Sequence, residues 1–250
     1  MLKEERYDQI LAILEKEKYA SAQKLSKQLY VSLPTIRRDL GELRRRGKII
    51  RSHGGAKIVE AENIVAPLDF RKTVHAAEKR ALCRRAAGMV KDYNIIFIDA
   101  STTTLQMADF LGDKKGITVI TNGIPLATLL VQKGIKTYCT GGEIFENSLA
   151  HFGSFAEEFI QRFNIDILFF SCHGVNENGM LTDPSLPETQ IRKVAIHQSK
   201  KTVFLCDETK FSLSTPYNLV SIQTIDHIIT NSTMVNNYFE SNENSNIIIV

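Results

Sequence analysis

The chain has 250 residues, 43% of them hydrophobic, with a formal charge of +3 and four cysteines. That is enough apolar material for one small and one medium domain, each with its own core. No apolar run approaches the roughly 20 residues that span a bilayer, and no C-x-x-C pair marks a disulfide framework or a zinc site, so Cys83, Cys139, Cys172 and Cys206 read as buried free thiols in a reducing compartment.

The chain opens Met-Leu-Lys-Glu-Glu-Arg, which has no signal-peptide pattern, so a cytoplasmic location is expected and no membrane partner. The modest net charge hides an asymmetry. Residues 31–58 hold eight basic side chains (Arg37, Arg38, Arg44, Arg45, Arg46, Lys48, Arg51, Lys57) against Asp39 and Glu42, and the remainder of the chain sums to −3. A local basic patch on a mildly acidic body implies a polyanion partner at one place only.

In chain order, Glu4–Lys16 predicts an amphipathic helix with Tyr7, Ile10, Leu11 and Leu14 on one face. Tyr19-Ala20 reads as a short extended link. Ser21 caps a second helix, Ala22–Leu29, with Leu25 and Leu29 inward. Tyr30–Ser32 is a turn. Ser32 then caps a basic helix with Pro34 in its first turn, where a missing N–H costs nothing. Ile36, Leu40 and Leu43 form its apolar stripe. At about 100° per residue the opposite face carries Pro34, Arg38, Gly41 and Arg45, flanked by Thr35 and Arg37. Gly47 stops the helix. Lys48–Arg51 predicts a strand, Gly54-Gly55 a turn and Ala56–Val59 the returning strand, with Arg51 and His53 on this basic hairpin. Helix, helix, turn, helix and hairpin within 60 residues make a winged helix-turn-helix unit. The expected DNA contacts are Ser32, Pro34, Thr35, Arg37, Arg38, Arg45, Arg51 and His53. A solvated basic helix is the bland alternative.

The expected division is 1–59 for this unit, 60–75 for a linker with a helical turn near Asp69–Lys72, and 76–250 for a second domain. From Ala76 the pattern changes. Helix Ala77–Val90 is followed by short apolar runs alternating with helices: Ile95–Ile98, helix 102–111, Ile117–Ile120, helix 124–133, Lys136–Cys139, helix 153–162, Asp166–Phe170, helix 187–199, Thr202–Cys206, Ile225–Thr230, helix 232–239 and Asn246–Val250. Runs apolar on both faces and separated by helices predict a mostly parallel α/β sheet covered on both sides.

Each apolar run stops in polar residues, and in open α/β sheets ligands bind beyond the carboxyl ends of the strands. Ser101, Thr102, Thr103 and Thr104 follow Ile95–Ile98 and open a helix. Backbone N–H groups and four hydroxyls there suit a phosphate, although one hydroxyl would do for a plain N-cap. Lys210 could add a cation or be a surface lysine. Asp99 and Asn122 could hold sugar hydroxyls, with helix-entry capping the alternative for Asp99, and Thr121 beside Asn122 is a further ligand-binding candidate. Gly141-Gly142 allows close backbone approach or simply turns the chain. His173 could touch a ligand or act as acid or base, but a lone strand-end histidine is more often structural. There is no Walker A, G-x-G-x-x-G or G-x-S-x-G sequence and no metal-ligand spacing, so neither cofactor nor metal is expected.

Val31-Ser32, Thr35-Ile36-Arg37-Arg38-Asp39-Leu40, Gly47 and Arg51-x-His53-Gly54-Gly55-Ala56 resemble the DNA-binding signature of the DeoR family of bacterial repressors. Glu78-Lys79, Asp99–Thr103, Thr121-Asn122, Gly141-Gly142 and Asp207-x-x-Lys210-Phe211 resemble its effector half. The resemblance covers nearly the whole chain. It implies a C-terminal domain similar to ribose-5-phosphate isomerase, a phosphorylated sugar effector, a double-stranded DNA operator for a carbohydrate-utilisation operon, and a homo-oligomer, dimer or tetramer. The chain departs from the family pattern at Gly153-Ser154-Phe155-Ala156, Ser171-Cys172-His173-Gly174 and Asp207-Glu208-Thr209-Lys210-Phe211, in the middle of the expected pocket. Two other classes compete. A sugar-phosphate isomerase or deaminase would use Asp99, His173, Asp183, Glu188 and Lys210 as acid–base groups, and a structural nucleoid protein would show no sequence preference.

Overall fold

The computed structural model describes residues 3–17, 19–45, 48–52, 55–58, 68–239 and 246–250. They fall into two compact units, Met1–Val74 and His75–Val250.

The first unit runs α1 (Lys3–Glu17), β1 (Tyr19–Ser21), α2 (Ala22–Leu29), α3 (Leu33–Arg45), β2 (Ile49–Ser52), β3 (Gly55–Ile58) and α4 (Leu68–Thr73). The helix starts follow the expected capping chemistry. Ser21 Oγ accepts from Lys24 N at 3.1 Å, and Ser32 Oγ accepts from Thr35 N at 3.4 Å. Ile36, Leu40 and Leu43 are buried against Tyr7, Ile10, Leu14 and Leu25, while Leu11 and Leu29 sit at the margin of this core. The segment expected as a link, Tyr19-Ala20, is instead a strand. β1 joins the hairpin in the order β1-β3-β2, with Ala20 opposite Ala56 and Ser21 opposite Gly55. Gly55 is therefore a paired strand residue and not a turn residue. A Cβ there would lie 2.3 Å from the Ala20 carbonyl oxygen, so only glycine admits β1. Residues 53–54, which include Gly54 of the expected turn, and the expected helix stop at Gly47 lie outside the described residues. Of the expected linker, 60–67 lies outside them too.

The second unit runs α5 (Ala76–Ala87), β4 (Ile95–Ile98), β5 (Thr118–Thr121), α6 (Ile124–Gln132), β6 (Lys136–Cys139), β7 (Glu143–Phe145), β8 (Ala150–Phe152), α7 (Ser154–Gln161), β9 (Ile167–Phe170), β10 (Gly174–Val175), β11 (Met180–Asp183), α8 (Leu186–Gln198), β12 (Thr202–Cys206), β13 (Tyr217–Ser221), β14 (His227–Thr230) and β15 (Ile247–Ile249). Seven strands form one parallel sheet in the order β15-β14-β12-β9-β4-β5-β6. Strand alternation divides the core. Phe97, Leu168, Phe170 and Phe204 face Ala156, Ile160 and Ile191 of α7 and α8. Ile96, Ile98, Phe169 and Val203 face Leu82, Met107 and Leu126 on the other side.

Three features differ from the sequence reading. The helices expected at 102–111 and 232–239 are 3-10 helices over Thr104–Phe110 and Thr233–Tyr238. At the first, the Ser101 and Thr104 hydroxyls bond to local backbone and divert it from a regular α-helical start. β7 and β8 form a hairpin, and β10, β11 and β13 form a small antiparallel sheet.

Candidate functional site

The chain places β5 and β6 on one side of β4, then reverses and places β9, β12, β14 and β15 on the other. The reversal lies between β4 and β9, and the crevice beyond such a switch point is where ligands bind in open α/β sheets. Five of the expected residues follow the two strands at this point in sequence: Asp99, Ser101, Thr102 and Thr103 after β4, and His173 after β9.

At the centre is a charge cluster. The Asp99 carboxylate is 2% exposed and accepts from Arg192 Nε at 3.1 Å, Ser101 N at 3.3 Å, Ser171 N at 3.4 Å and the Thr104 hydroxyl at 2.7 Å. Arg192 Nη1 also meets Asp183 Oδ2 at 2.6 Å and Glu188 Oε2 at 3.4 Å. Burial opposes the charge of this guanidinium, but Asp183, Asp99 and Glu188 outweigh it and raise its pKa well above the ordinary arginine value. Burial and neighbouring Glu188 in turn push the Asp183 pKa up, despite Arg192. Asp183 Oδ1 accepts the His173 backbone N–H at 3.0 Å and so fixes the loop after β9.

These contacts correct two expectations. Asp99 and Thr104 are not lining residues: Thr104 is wholly buried and its hydroxyl serves Asp99, whose four contacts are all internal. Of the loop Ser101–Thr103, Ser101 is partly exposed, while Thr102 and Thr103 are buried. Beside it lies Lys79 of α5, 5% exposed, with Nζ 3.4 Å from Thr102 Oγ1. On the other side, Asp207 Oδ1 caps the 3-10 turn Glu208–Lys210. Half-buried Lys210 stands near enough to the Cys172 and Cys206 thiols to draw their pKa values down, against the larger upward push of burial. A buried ammonium beside the hydroxyl loop and a half-buried one beyond β12 offer two cationic partners to an anion, next to the carboxylates that Arg192 holds. Arg192 and Lys79 are the buried cations at this crevice; the sequence reading did not single out Arg192 and named Lys79 only within the Glu78-Lys79 resemblance. Glu188 and Arg192 four residues apart on one helix were the available signal.

The remaining ligand candidates separate. Thr121 Oγ1 accepts from Gly123 N at 3.0 Å, a local turn contact. Asn122 is buried, its Nδ2 donates to the His151 carbonyl at 3.3 Å, and its Oδ1 has no partner. That orphaned acceptor, just beyond β5, suits a ligand hydroxyl. Gly142 has φ +110°, and a Cβ there would lie 2.5 Å from the Phe152 carbonyl oxygen, so its smallness serves β8. Gly141 and Gly142 line a separate cleft of about 600 Å³ with Phe155 and Phe159 of α7 and Arg162 just after it, and none of the other candidates reaches it. Cys139 Sγ lies 3.3 Å from His151 Nδ1 beside this region. The other three thiols are buried as expected, and Cys139 is half-buried. Among the described residues no three His, Cys, Asp or Glu side chains are placed to hold a metal, and no helix is long and apolar enough to cross a membrane.

In the first unit Ser32, just before α3, and Pro34, Arg37 and Arg38 on it are exposed, with Thr35 half-buried. Arg45 and Arg51 lie on α3 and β2, and His53 lies outside the described residues. Asp39, unassigned by the sequence reading, anchors this helix. It is buried and takes Arg6 Nε at 2.5 Å and Nη2 at 3.1 Å, a two-pronged pair that ties α3 to α1 and raises the Arg6 pKa. Its helical angle, on the side of Ile36 and Leu43, pointed inward.

Residues 6–62 match the DeoR-like helix-turn-helix domain and residues 74–232 the DeoR C terminal sensor domain. The transcriptional repressor AccR of Agrobacterium fabrum is 30% identical over 92% of this chain and 90% of its own length. The glycerol-3-phosphate regulon repressor of Escherichia coli is 28% identical over 93% and 92%. Ribose 5-phosphate isomerase A of Methanocaldococcus jannaschii aligns over 55% of both chains at 19% identity and a TM-score of 0.42, a loose likeness of sheet architecture. The acid–base carboxylates of the isomerase reading, Asp99, Asp183 and Glu188, are all turned to Arg192. With a reading head at one end and a sensor domain over the rest, the chain belongs to the DeoR family of DNA-binding transcriptional regulators.

Proposed function

We propose that this regulator represses a carbohydrate-utilisation operon and that a phosphorylated sugar, bound in the crevice between β4 and β9, modulates its grip on the operator. The observation that carries the reading is the pair of ammonium groups at the switch point: Lys79 beside the hydroxyl loop Ser101–Thr103, and Lys210 near the ends of β9 and β12. Backbone N–H groups, hydroxyls and two ammonium groups hold the phosphate; Asn122 Oδ1 and His173 face the sugar. The E. coli relative named for a glycerol-3-phosphate regulon supports an effector of this chemical class.

On the output side, arginines of α3 read base edges in the major groove and the remaining basic groups grip phosphates. Two heads are needed for ordinary operator affinity, so the working form is a homo-oligomer. The ligand changes DNA affinity by binding two states of the protein unequally.

A thermal-shift screen of sugar phosphates, with inorganic phosphate and unphosphorylated sugars as controls, tests the ligand. At 100 times the dissociation constant a ligand stabilises by about 2.7 kcal/mol. Ser101→Asp keeps a capping oxygen for Thr104 N but puts a negative charge in the phosphate loop, so it abolishes the shift while the protein stays folded. An undiminished shift in Ser101→Asp contradicts the loop assignment.

A further inference from the structure

The turn between α2 and α3 holds a side chain that the fold does not use. Tyr30 has φ +52° and ψ +39°, the left-handed conformation that side chains with a Cβ rarely adopt, and the residue is 96% exposed. Among the described residues no other large apolar or aromatic side chain is so exposed. Tyr93 makes a useful contrast: it is also left-handed and exposed, but its ring packs over Gly116, where a Cβ would come within 2.5 Å of it. Among the described residues Tyr30 has no such glycine neighbour. The conformation is imposed by the turn, because the Ser26 carbonyl accepts from both Tyr30 N and Val31 N while the Ser26 hydroxyl donates to Val31 O at 2.6 Å. Glycine would fill this corner without strain. A tyrosine that is both strained and solvated points to a partner outside the chain.

Position says which partner. Two residues on, Ser32 caps α3, and the N-terminal end of such a helix is the part that enters the major groove. A rigid turn beside that end meets the sugar–phosphate backbone at the groove edge, where every strong hydrogen-bonding group is an acceptor. A phenol is a neutral donor suited to it. We propose that the Tyr30 hydroxyl donates a hydrogen bond to a DNA phosphate beside the recognition helix, adding a backbone clamp to the basic residues. The proposal rests on the family's DNA binding and is independent of the effector.

The test uses the full-length protein and a duplex enriched from a randomised pool by the wild type, titrated at fixed salt. Tyr30→Phe keeps ring, backbone and charge and removes only the hydroxyl. It should weaken binding roughly tenfold on the enriched duplex and by a similar factor on a scrambled duplex, because a phosphate contact carries no sequence information. The salt dependence should keep its slope, since no charge is lost. Tyr30→Gly should bind at least as weakly while its melting temperature does not fall below that of Tyr30→Phe, which separates loss of the contact from loss of fold. Wild-type affinity in Tyr30→Phe overturns the proposal, as does a loss confined to the enriched duplex.

Discussion

At Arg192 one guanidinium answers three carboxylates, two of them, Asp99 and Asp183, essentially removed from water. Removing the cation leaves that negative charge uncompensated, so Arg192→Met should destabilise the protein by about 3–5 kcal/mol, read from urea unfolding. A midpoint equal to that of the wild type would show that the cluster is not an ionic unit. The thiols give a second check at this scale. Burial pushes the pKa values of Cys83, Cys172 and Cys206 far up, and that of half-buried Cys139 up as well. In the native protein at neutral pH, an alkylating reagent followed by mass spectrometry should find slow modification at Cys139 and none at the other three.

Among the elements, the hairpin of β7 and β8 is seated by Gly142, where a side chain would strike the Phe152 carbonyl. Gly142→Ala should therefore destabilise by about 2–3 kcal/mol, from the clash together with the φ of +110°, whereas Gly112→Ala, with open space around it, should change little. The amino ends of β4 and β9 are joined by Asp166, which accepts from Ile95 N at 2.9 Å and Lys200 Nζ at 2.8 Å. Burial opposes its ionisation, but Lys200, the Ile95 N–H and Asn94 outweigh burial and hold its pKa below the usual value. Its folded pKa is depressed, so its contribution is present above about pH 4 and is lost as the pH falls through the folded value. Asp166→Asn should make the acid limb of the stability profile shallower, and an unchanged limb would remove Asp166 as its cause.

These elements also show what the sequence could disclose. The i, i+4, i+7 stripe of Ile36, Leu40 and Leu43 and the apolar runs at 95–98, 167–170 and 202–206 follow from local periodicity, and they appear as α3, β4, β9 and β12. β10 is only two residues long, too short to leave a periodic signal, and β13 finds its partner β11 by pairing Ser221 with Met180 and Tyr217 with Asp183, which local periodicity does not encode. Arg192 looked like one more charge on a helix, because its partner Asp99 is 93 residues away. Thr104 read as a ligand hydroxyl because its neighbours are hydroxyls, and only the fold turns it toward Asp99.

For the whole molecule, input and output occupy separate compact units, Met1–Val74 and His75–Val250. On this account the first holds DNA and the second decides how tightly. Arg38 stands exposed on α3, so Arg38→Ala in a salt-controlled binding assay should cost about 1–3 kcal/mol of specific operator affinity and spare the effector-induced thermal shift. The most direct test of the coupling is operator affinity by fluorescence anisotropy at fixed salt, on a duplex selected by the wild type, with and without the sugar phosphate that gives the largest thermal shift. The account predicts a change of at least about fivefold in the wild type, within the usual range of allosteric coupling, and none in Ser101→Asp. Equal wild-type affinity with and without a ligand that demonstrably binds would contradict it.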